Sequence, residues 1–186
     1  MPRAGLTSEL VVAAACDHVN RKGVESLTLA SLAAELGVKS PSLYNHVDGL
    51  EDLKRSVALA GVDLLAEACR DATMGRTGKQ ALTALAGAYR QVARDHPGVY
   101  ALTQVARPND EQFTAGGERV LRPVYAVLAG YGLEGDAAVH AARVLRSALH
   151  GFALLETQSG FGIDLSIDES FNRLIDIIDA GLSADG

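Results

Sequence analysis

The chain has 186 residues, of which 48% are hydrophobic and 22% are charged, a balance typical of a globular protein and not of a disordered one. Its formal net charge is -6, so the overall charge gives no argument for binding to nucleic acid. Residues 1–56 are nearly neutral, with six Lys and Arg against seven Asp and Glu. A local motif would have to indicate any such function.

The two cysteines, Cys16 and Cys69, each lie in an apolar helical pattern, which argues against a disulfide framework or a zinc site. The first residues lack a basic segment followed by an apolar core, and no run of about 18 uncharged apolar residues occurs. We therefore expect a cytoplasmic protein with no metal, no cofactor and no membrane partner.

Glycine and proline divide the chain into helix-length segments, and alternating strand patterns are nearly absent. The predicted fold class is all-α. We expect nine helices, at residues 7–22, 28–36, 40–45, 49–69, 78–95, 97–105, 110–129, 134–157 and 168–182. Two pairs spaced three apart, Asp48 with Glu51 and Ser166 with Glu169, predict capping boxes at the starts of the fourth and last helices.

Residues 28–46 carry the most informative pattern of the chain. Thr28 is suited to cap a short helix, and Gly37 to end it in a left-handed conformation. Ser40 and Pro41 are suited to start the next helix, as its cap and its first residue. Two short helices joined by a short turn with glycine predict a helix-turn-helix, whose second helix fits the DNA major groove.

On the second of these helices, Leu43 and Val47 lie four apart and are expected to face inward. The residues left outside hydrogen-bond to phosphates or base edges without requiring a highly charged domain. They are Lys39, Ser40, Ser42, Tyr44, Asn45 and His46.

The run Leu27-Thr-Leu-Ala-Ser-Leu-Ala-Ala-Glu-Leu-Gly-Val, followed by Pro41-x-Leu43-Tyr44-x-His46 and a long helix opening at 49–53, resembles the TetR family of transcriptional regulators. The resemblance implies a nine-helix fold. It also implies a helix-turn-helix DNA-binding domain at residues 1–48 and a ligand-sensing and dimerisation domain at residues 49–186, whose first helix connects the two.

By the same resemblance, Thr28, Tyr44 and His46 contact phosphates. The positions that approach bases are Lys39, Ser40, Ser42 and Asn45, and Pro41 belongs to the same set. Lys54 is added as a residue suited to compensate for the Lys that the family commonly has at position 50. Two residues depart from the family pattern: Val47 replaces a usual Phe, and Leu50 replaces a common phosphate-binding Lys. Alternatives remain open at this point, because Tyr44 also suits a core position and Thr28 an ordinary helix cap.

The C-terminal part resembles a subset of these regulators with His150-Gly151-Phe152 in the penultimate helix and Gly160-Phe161 before the last one. That resemblance implies that the last two helices pair with those of a second subunit as a four-helix bundle. The last helix carries an apolar stripe that also requires a partner. The predicted dimer contacts are Leu149, Phe152, Phe171, Leu174, Ile175 and Ile178.

Several aromatic and polar residues lie on otherwise apolar helices of the same part, a composition suited to a small-molecule pocket. The candidate ligand-binding residues are Tyr89, Tyr100, Gln104, Phe113, Tyr125, Arg143 and His150. The aromatic residues also suit simple packing between helices. Arg143, Ser147 and His150 form a polar strip that suits the pocket, a dimer contact or a solvated face.

Motifs of hydrolases, phosphate-binding loops and helical metal sites are absent from the sequence, so we do not expect an enzyme. The predicted function is a ligand-responsive regulator, a repressor by family resemblance, that binds a pseudo-palindromic operator as a dimer. The alternative is a dimeric DNA-binding regulator without a small-molecule effector.

Overall fold

The computed structural model describes residues 5–185, and every regular element in that range is a helix. The elements in chain order are α1 (Ser8–Lys22), η1 (Val24–Ser26), α2 (Leu29–Leu36), η2 (Ser40–Asn45), α3 (Leu50–Thr73), α4 (Gly78–Asp95), α5 (Pro97–Thr103), α6 (Glu111–Ala129), α7 (Gly135–Thr157) and α8 (Ile167–Asp185). The predicted all-α class is confirmed, and each of the nine predicted helices has a counterpart. The third is a 3-10 helix, and the 3-10 helix η1 was not predicted.

The chain forms two compact units with different boundaries from the predicted domains. The N-terminal unit contains residues 5–62 and 96–109, and the C-terminal unit contains residues 63–95 and 110–185. The N-terminal unit thus includes the first half of α3 and all of α5, beyond the predicted domain 1–48. Residues 1–4 and 186 of the predicted domains lie outside the described residues.

In the N-terminal unit, α1 packs on α2, α5 and η1, and α2 packs on η2. The apolar residues of α1 recur at helical spacing, so they share one face of the helix and pack into an aliphatic core. The fully buried side chains include Val11, Leu32, Leu43, Leu53 and Val57. The short helices of this unit are therefore held by tertiary packing on a common core.

In the C-terminal unit, α4 packs on α6, α7 and α8, and α7 packs on α6 and α8. The core here includes the buried side chains of Leu82, Leu85, Leu128, Leu145 and Leu149. Across residues 5–185, no helix is long and apolar enough to cross a membrane.

Candidate functional site

The turn after α2 brings η2 into place. Gly37 ends α2 with a φ of 66° and a ψ of 30°, in the left-handed region that glycine adopts without a steric penalty. The Val38 N–H donates to the carbonyl oxygen of Ala33 at 3.0 Å, which satisfies the end of the helix. Residues 37–39 alone separate α2 from η2, so the two elements form the predicted helix-turn-helix.

The two faces of η2 differ sharply in burial. Leu43 is fully buried and Val47, just after η2, is 4% exposed, as expected for the inward face. Tyr44 lies between them and is 61% exposed. The alternative that Tyr44 only fills the core of the chain is therefore wrong.

The remaining predicted contacts of this segment lie on or beside the same outward face. Lys39, Pro41 and Asn45 are exposed, whereas Ser40, Ser42 and His46 are half-buried. The expected helix cap by Ser40 is wrong, because the capping position is Lys39 and no side chain fills it. The end of η2 is tied to α1, since the Ser8 hydroxyl donates to the His46 carbonyl oxygen at 3.4 Å.

Thr28 caps α2, as the sequence predicts. Its Oγ1 accepts from the Ser31 N–H at 2.9 Å, and Ser31 Oγ accepts from the Thr28 N–H at 3.0 Å. This reciprocal pair satisfies two backbone donors that the first turn leaves open. Thr28 is exposed, so capping leaves it accessible to a ligand.

The start of α3 differs from the prediction. Glu51 does not complete a capping box with Asp48; the Asp48 N–H donates instead to Asp52 Oδ2 at 3.0 Å. Glu51 accepts from Lys54 Nζ at 3.1 Å, and the Glu51 side chain is 82% exposed. Because the Glu51 side chain is largely exposed, this pair is expected to contribute no more than about 1 kcal/mol.

A polar network around the buried side chain of His18, which the sequence did not reveal, joins α1 to α2. His18 is 1% exposed, and its Nδ1 lies 2.9 Å from Glu35 Oε1 while its Nε2 lies 3.0 Å from Ser26 Oγ. Lys22 Nζ donates to Glu35 Oε1 at 2.6 Å; this bond, with a smaller effect of His18, lowers the pKa of the Glu35 carboxyl. The signal was a histidine on the apolar face of α1.

The seven candidate ligand-binding residues are divided between the two units. Tyr100 and Gln104 fall in segment 96–109 of the N-terminal unit, and the other five lie on α4, α6 and α7 of the C-terminal unit. Tyr89 is buried, and Arg143 is exposed. His150 is half-buried; burial, with a smaller effect of Arg146, lowers the pKa of its imidazole.

Phe152, the last residue of the His-Gly-Phe motif, packs against two other aromatic rings. Its ring centroid lies 5.0 Å from that of Phe161 and 5.1 Å from that of Phe171. The Arg90 guanidinium lies 4.6 Å from the Phe171 centroid and 5.5 Å from the Phe152 centroid. Arg90 also forms two hydrogen bonds to Glu156, of 2.6 and 2.7 Å. These contacts join α4, α7 and α8.

The predicted dimer contacts need correction. Leu149, Phe171 and Ile175 are 2%, 5% and 2% exposed within one chain, so they have no surface to offer a second subunit. Phe152, Leu174 and Ile178 are half-buried. The apolar stripe of α8 packs within the C-terminal unit, where α8 contacts α4 and α7. Its spacing correctly indicated a buried face but not which element covers it.

Burial raises the pKa of the Cys16 thiol to about 11 and that of Cys69 to about 12. Both thiols are therefore protonated at neutral pH, which lowers their reactivity as nucleophiles. In the described part of the chain, no group of three or more His, Cys, Asp or Glu side chains is placed to hold a metal ion.

Two curated relatives are similar over nearly the whole chain. The uncharacterized HTH-type transcriptional regulator Rv0681 of Mycobacterium tuberculosis is 41% identical over 96% of this chain and 83% of its own length. The uncharacterized HTH-type transcriptional regulator YobS of Bacillus subtilis is 34% identical over 97% of this chain and 95% of its own.

Solved structures show the same fold. A protein of unknown function from Rhodococcus sp. RHA1 has a TM-score of 0.83 at 24% identity, covering 98% of each chain. A single-residue variant of TetR from Acinetobacter baumannii AYE, in complex with minocycline, has a TM-score of 0.73 at 23% identity, covering 97% of this chain and 98% of its own. Residues 82–178 match the family described as tetracyclin repressor-like, C-terminal domain. With the helix-turn-helix of residues 28–46, these similarities show that the chain belongs to the TetR family of transcriptional regulators.

Proposed function

We propose that this chain is a ligand-responsive repressor that binds a pseudo-palindromic operator as a homodimer and is released by a small molecule. The observation that carries the DNA-binding part is the outward face of η2. There, Tyr44 and Asn45 are exposed on a short helix that Leu43 and Val47 anchor in the core. A rigidly seated short helix with outward hydrogen-bonding groups is what entry into the major groove requires.

The chemistry of this face fits a nearly neutral domain. Lys39 is a cation, whereas Ser42, Tyr44 and Asn45 are neutral hydrogen-bonding groups. Neutral side chains contact phosphate oxygens and base edges without releasing many counterions. Following the family pattern, we assign Thr28, Tyr44 and His46 to phosphate contacts and Lys39, Ser40, Ser42 and Asn45 to the bases.

Substitutions on η2 are expected to separate two effects. Tyr44→Ala should weaken binding to all duplexes alike, because a phosphate contact carries no sequence information. Asn45→Ala should instead reduce the preference for the operator, with about 1 to 3 kcal/mol lost at one base position. Fluorescence anisotropy with the intergenic DNA upstream of the gene, and with a scrambled duplex, measures both.

Leu43→Ala, next to Tyr44 on the inward face of η2, is the control for loss of folding. It should lower the free energy of unfolding by about 2 to 5 kcal/mol because Leu43 is fully buried. Tyr44→Ala should leave the melting temperature nearly unchanged. A change of sequence preference in Tyr44→Ala, with unchanged affinity for scrambled DNA, would show that the assigned roles are wrong.

The second subunit is best accommodated by the outward faces of α7 and α8. On α7, Val144 is 64% exposed and Leu155 is 48% exposed, and on α8, Ile177 is 70% exposed. Ser147 and Gly151 lie on the same face of α7 as Leu155. Small residues such as Ser147 and Gly151 permit close approach of helices, and apolar side chains at this exposure favour burial against a partner. This outer face, rather than the inward stripe of α8, is the dimer surface that we propose.

The proposed effector site lies among α4, α6 and α7, which pack on one another and carry Tyr89, Phe113, Tyr125 and His150. The minocycline complex of the A. baumannii protein supports a small-molecule site in this fold. The chain also provides a connection: α3 is one continuous helix of 24 residues that contributes to both units. At 1.5 Å per residue it is about 36 Å long.

Effector and operator are expected to weaken each other equally. An effector found by thermal-shift screening should reduce operator affinity by about 5- to 150-fold, because coupling energies of this kind are typically about 1 to 3 kcal/mol. Linkage requires that operator DNA reduce effector affinity by the same factor. Calorimetry of the effector with and without operator tests this, and equal affinities in both titrations would contradict the allosteric part alone.

The alternative is a regulator that uses its C-terminal unit only to form the dimer. It shares every feature of η2 and differs only in lacking the coupled effector. Repression rather than activation is proposed because occupancy of an operator is enough to block polymerase.

A further inference from the structure

Segment 96–109 is fixed to α1 by a hydrogen-bonding side chain from far away in the sequence. α5 begins at Pro97, and no side chain of its own segment caps it. Asn20 of α1 supplies that cap: its Oδ1 accepts from the Gly98 N–H at 3.1 Å and from the Val99 N–H at 3.0 Å. Two of the open backbone donors of α5 are thus satisfied by α1.

The other end of the same amide is also held. Asn20 Nδ2 lies 3.3 Å from His96 Nδ1 and donates to it, and Asn20 is half-buried. An amide bound through both its oxygen and its nitrogen has one orientation. Asn20 therefore fixes both the position and the direction of the first turn of α5.

Two glycines allow the backbones to approach at this joint. A Cβ on Gly98 would overlap the backbone carbonyl group of Val19. A Cβ on Gly61 of α3 would lie 2.6 Å from side-chain carbons of both Val99 and Thr103 of α5. Gly98 thus excludes a side chain unless the backbone moves, and Gly61 excludes one unless the side chains of Val99 and Thr103 shift, so α5 is closely packed on α1 and α3.

We propose that Asn20 is a positioning residue for operator binding: by capping α5 it holds segment 96–109 on α1 and so restricts the orientation of the helix-turn-helix. The inference rests on the proposed function. The chain passes between the two units at residues 62/63, 95/96 and 109/110, and the last two junctions flank this segment. Among the described helices, only α3 contains residues of both units. If segment 96–109 detached from α1, α3 would therefore be the only helix that still connects them.

The consequence concerns two-site binding. A dimer that grips both half-sites of an operator gains from the second contact only if the two N-terminal units are held at the required spacing. Detaching segment 96–109 widens the range of orientations and lowers this effective concentration. Contacts of a single η2 with a single half-site are unaffected, because Asn20 lies on α1 and not on η2.

The test compares Asn20→Ala with Asn20→Asp, whose carboxylate still accepts from both N–H groups. In Asn20→Ala, hydrogen exchange at Gly98 and Val99 should accelerate by about 2- to 30-fold, the loss expected for a missing cap. Affinity for the full operator should fall by more than twofold but by no more than the exchange factor, because only the fraction of molecules with a detached segment loses the second contact, while affinity for a half-site duplex stays within about twofold. Asn20→Asp keeps both acceptor contacts but loses the donation to His96 Nδ1, so its faster exchange and its loss of full-operator affinity should both be smaller than those of Asn20→Ala.

Gly98→Ala gives a second route to the same joint, and Gly87→Ala on α4 is its control, because a Cβ at Gly87 meets no atom within 4 Å. Gly98→Ala should reproduce the selective loss of full-operator binding, and Gly87→Ala should not. Unchanged exchange in Asn20→Ala, or equal weakening of half-site and full operator, would overturn the proposal. A wild-type protein that binds neither duplex would overturn the proposed function, while the exchange rates still decide the role of the cap.

Discussion

Ile177→Glu is expected to give a folded monomer, whereas Ile175→Glu, two positions away on α8, is expected to prevent stable folding. Ile177 is 70% exposed in one chain, and Ile175 is 2% exposed. In a symmetric dimer each residue occurs twice, so loss of two buried isoleucines costs on the order of 4 kcal/mol. That corresponds to about a thousandfold weaker dimerisation, before any charge repulsion is counted.

Ile175→Glu acts differently because it places a carboxylate in the core of the C-terminal unit. A buried charge without a partner costs several kcal/mol, which is comparable with the entire stability of a typical domain. If the apolar stripe of α8 were a dimer contact, Ile175→Glu would dissociate the dimer. Because Ile175 is buried within one chain, we expect the variant to lose its fold instead.

Analytical ultracentrifugation and circular dichroism separate the two outcomes. Ile177→Glu should sediment as a helical monomer at micromolar concentration and bind the operator far more weakly than wild type, because each half-site alone is weak. Ile175→Glu should lose its cooperative melting transition. A dimeric Ile177→Glu variant would show that the outward face of α7 and α8 is not the interface.

The helices were predictable because their ends are marked by local chemistry. Gly37 adopts the left-handed conformation that ends α2, and Ser166 accepts from the Glu169 N–H at 3.2 Å at the start of α8. The outward position of Tyr44 also followed from spacing, since Leu43 and Val47 occupy the inward face of η2. Such signals depend on neighbours within a few residues, which the sequence displays directly.

The partner of an apolar face was not predictable in the same way. Periodicity shows that Phe171 and Ile175 face one direction, but neither residue carries information on what lies opposite. α7 is apolar on much of its circumference, so it covers the stripe of α8 within the chain and still exposes Val144. The assignment of α5 to the N-terminal unit likewise depends on Asn20 and Gly98, which are 78 positions apart.

Arg90→Met is expected to lower the free energy of unfolding by about 3 to 5 kcal/mol, because it removes one partner of a buried ion pair. The side chains of Arg90 and Glu156 are 10% and 11% exposed, and two hydrogen bonds join them. Those bonds raise the pKa of the Arg90 guanidinium, against the opposing effect of burial. Arg94 lies 3.6 Å from Glu156 and is expected to compensate only in part, since it is 46% exposed.

The control and the second variant lie in the same unit. Arg173→Met removes an exposed pair with Glu169 on α8, so it should change stability by no more than about 0.5 kcal/mol. Adding Glu156→Gln to Arg90→Met should recover part of the loss, because it removes a carboxylate whose remaining cationic partner is Arg94 at 3.6 Å. Urea denaturation of the single and double variants measures these differences. If Arg90→Met costs no more than Arg173→Met, the contacts of Arg90 with Glu156, Phe152 and Phe171 do not stabilise the packing of α4, α7 and α8.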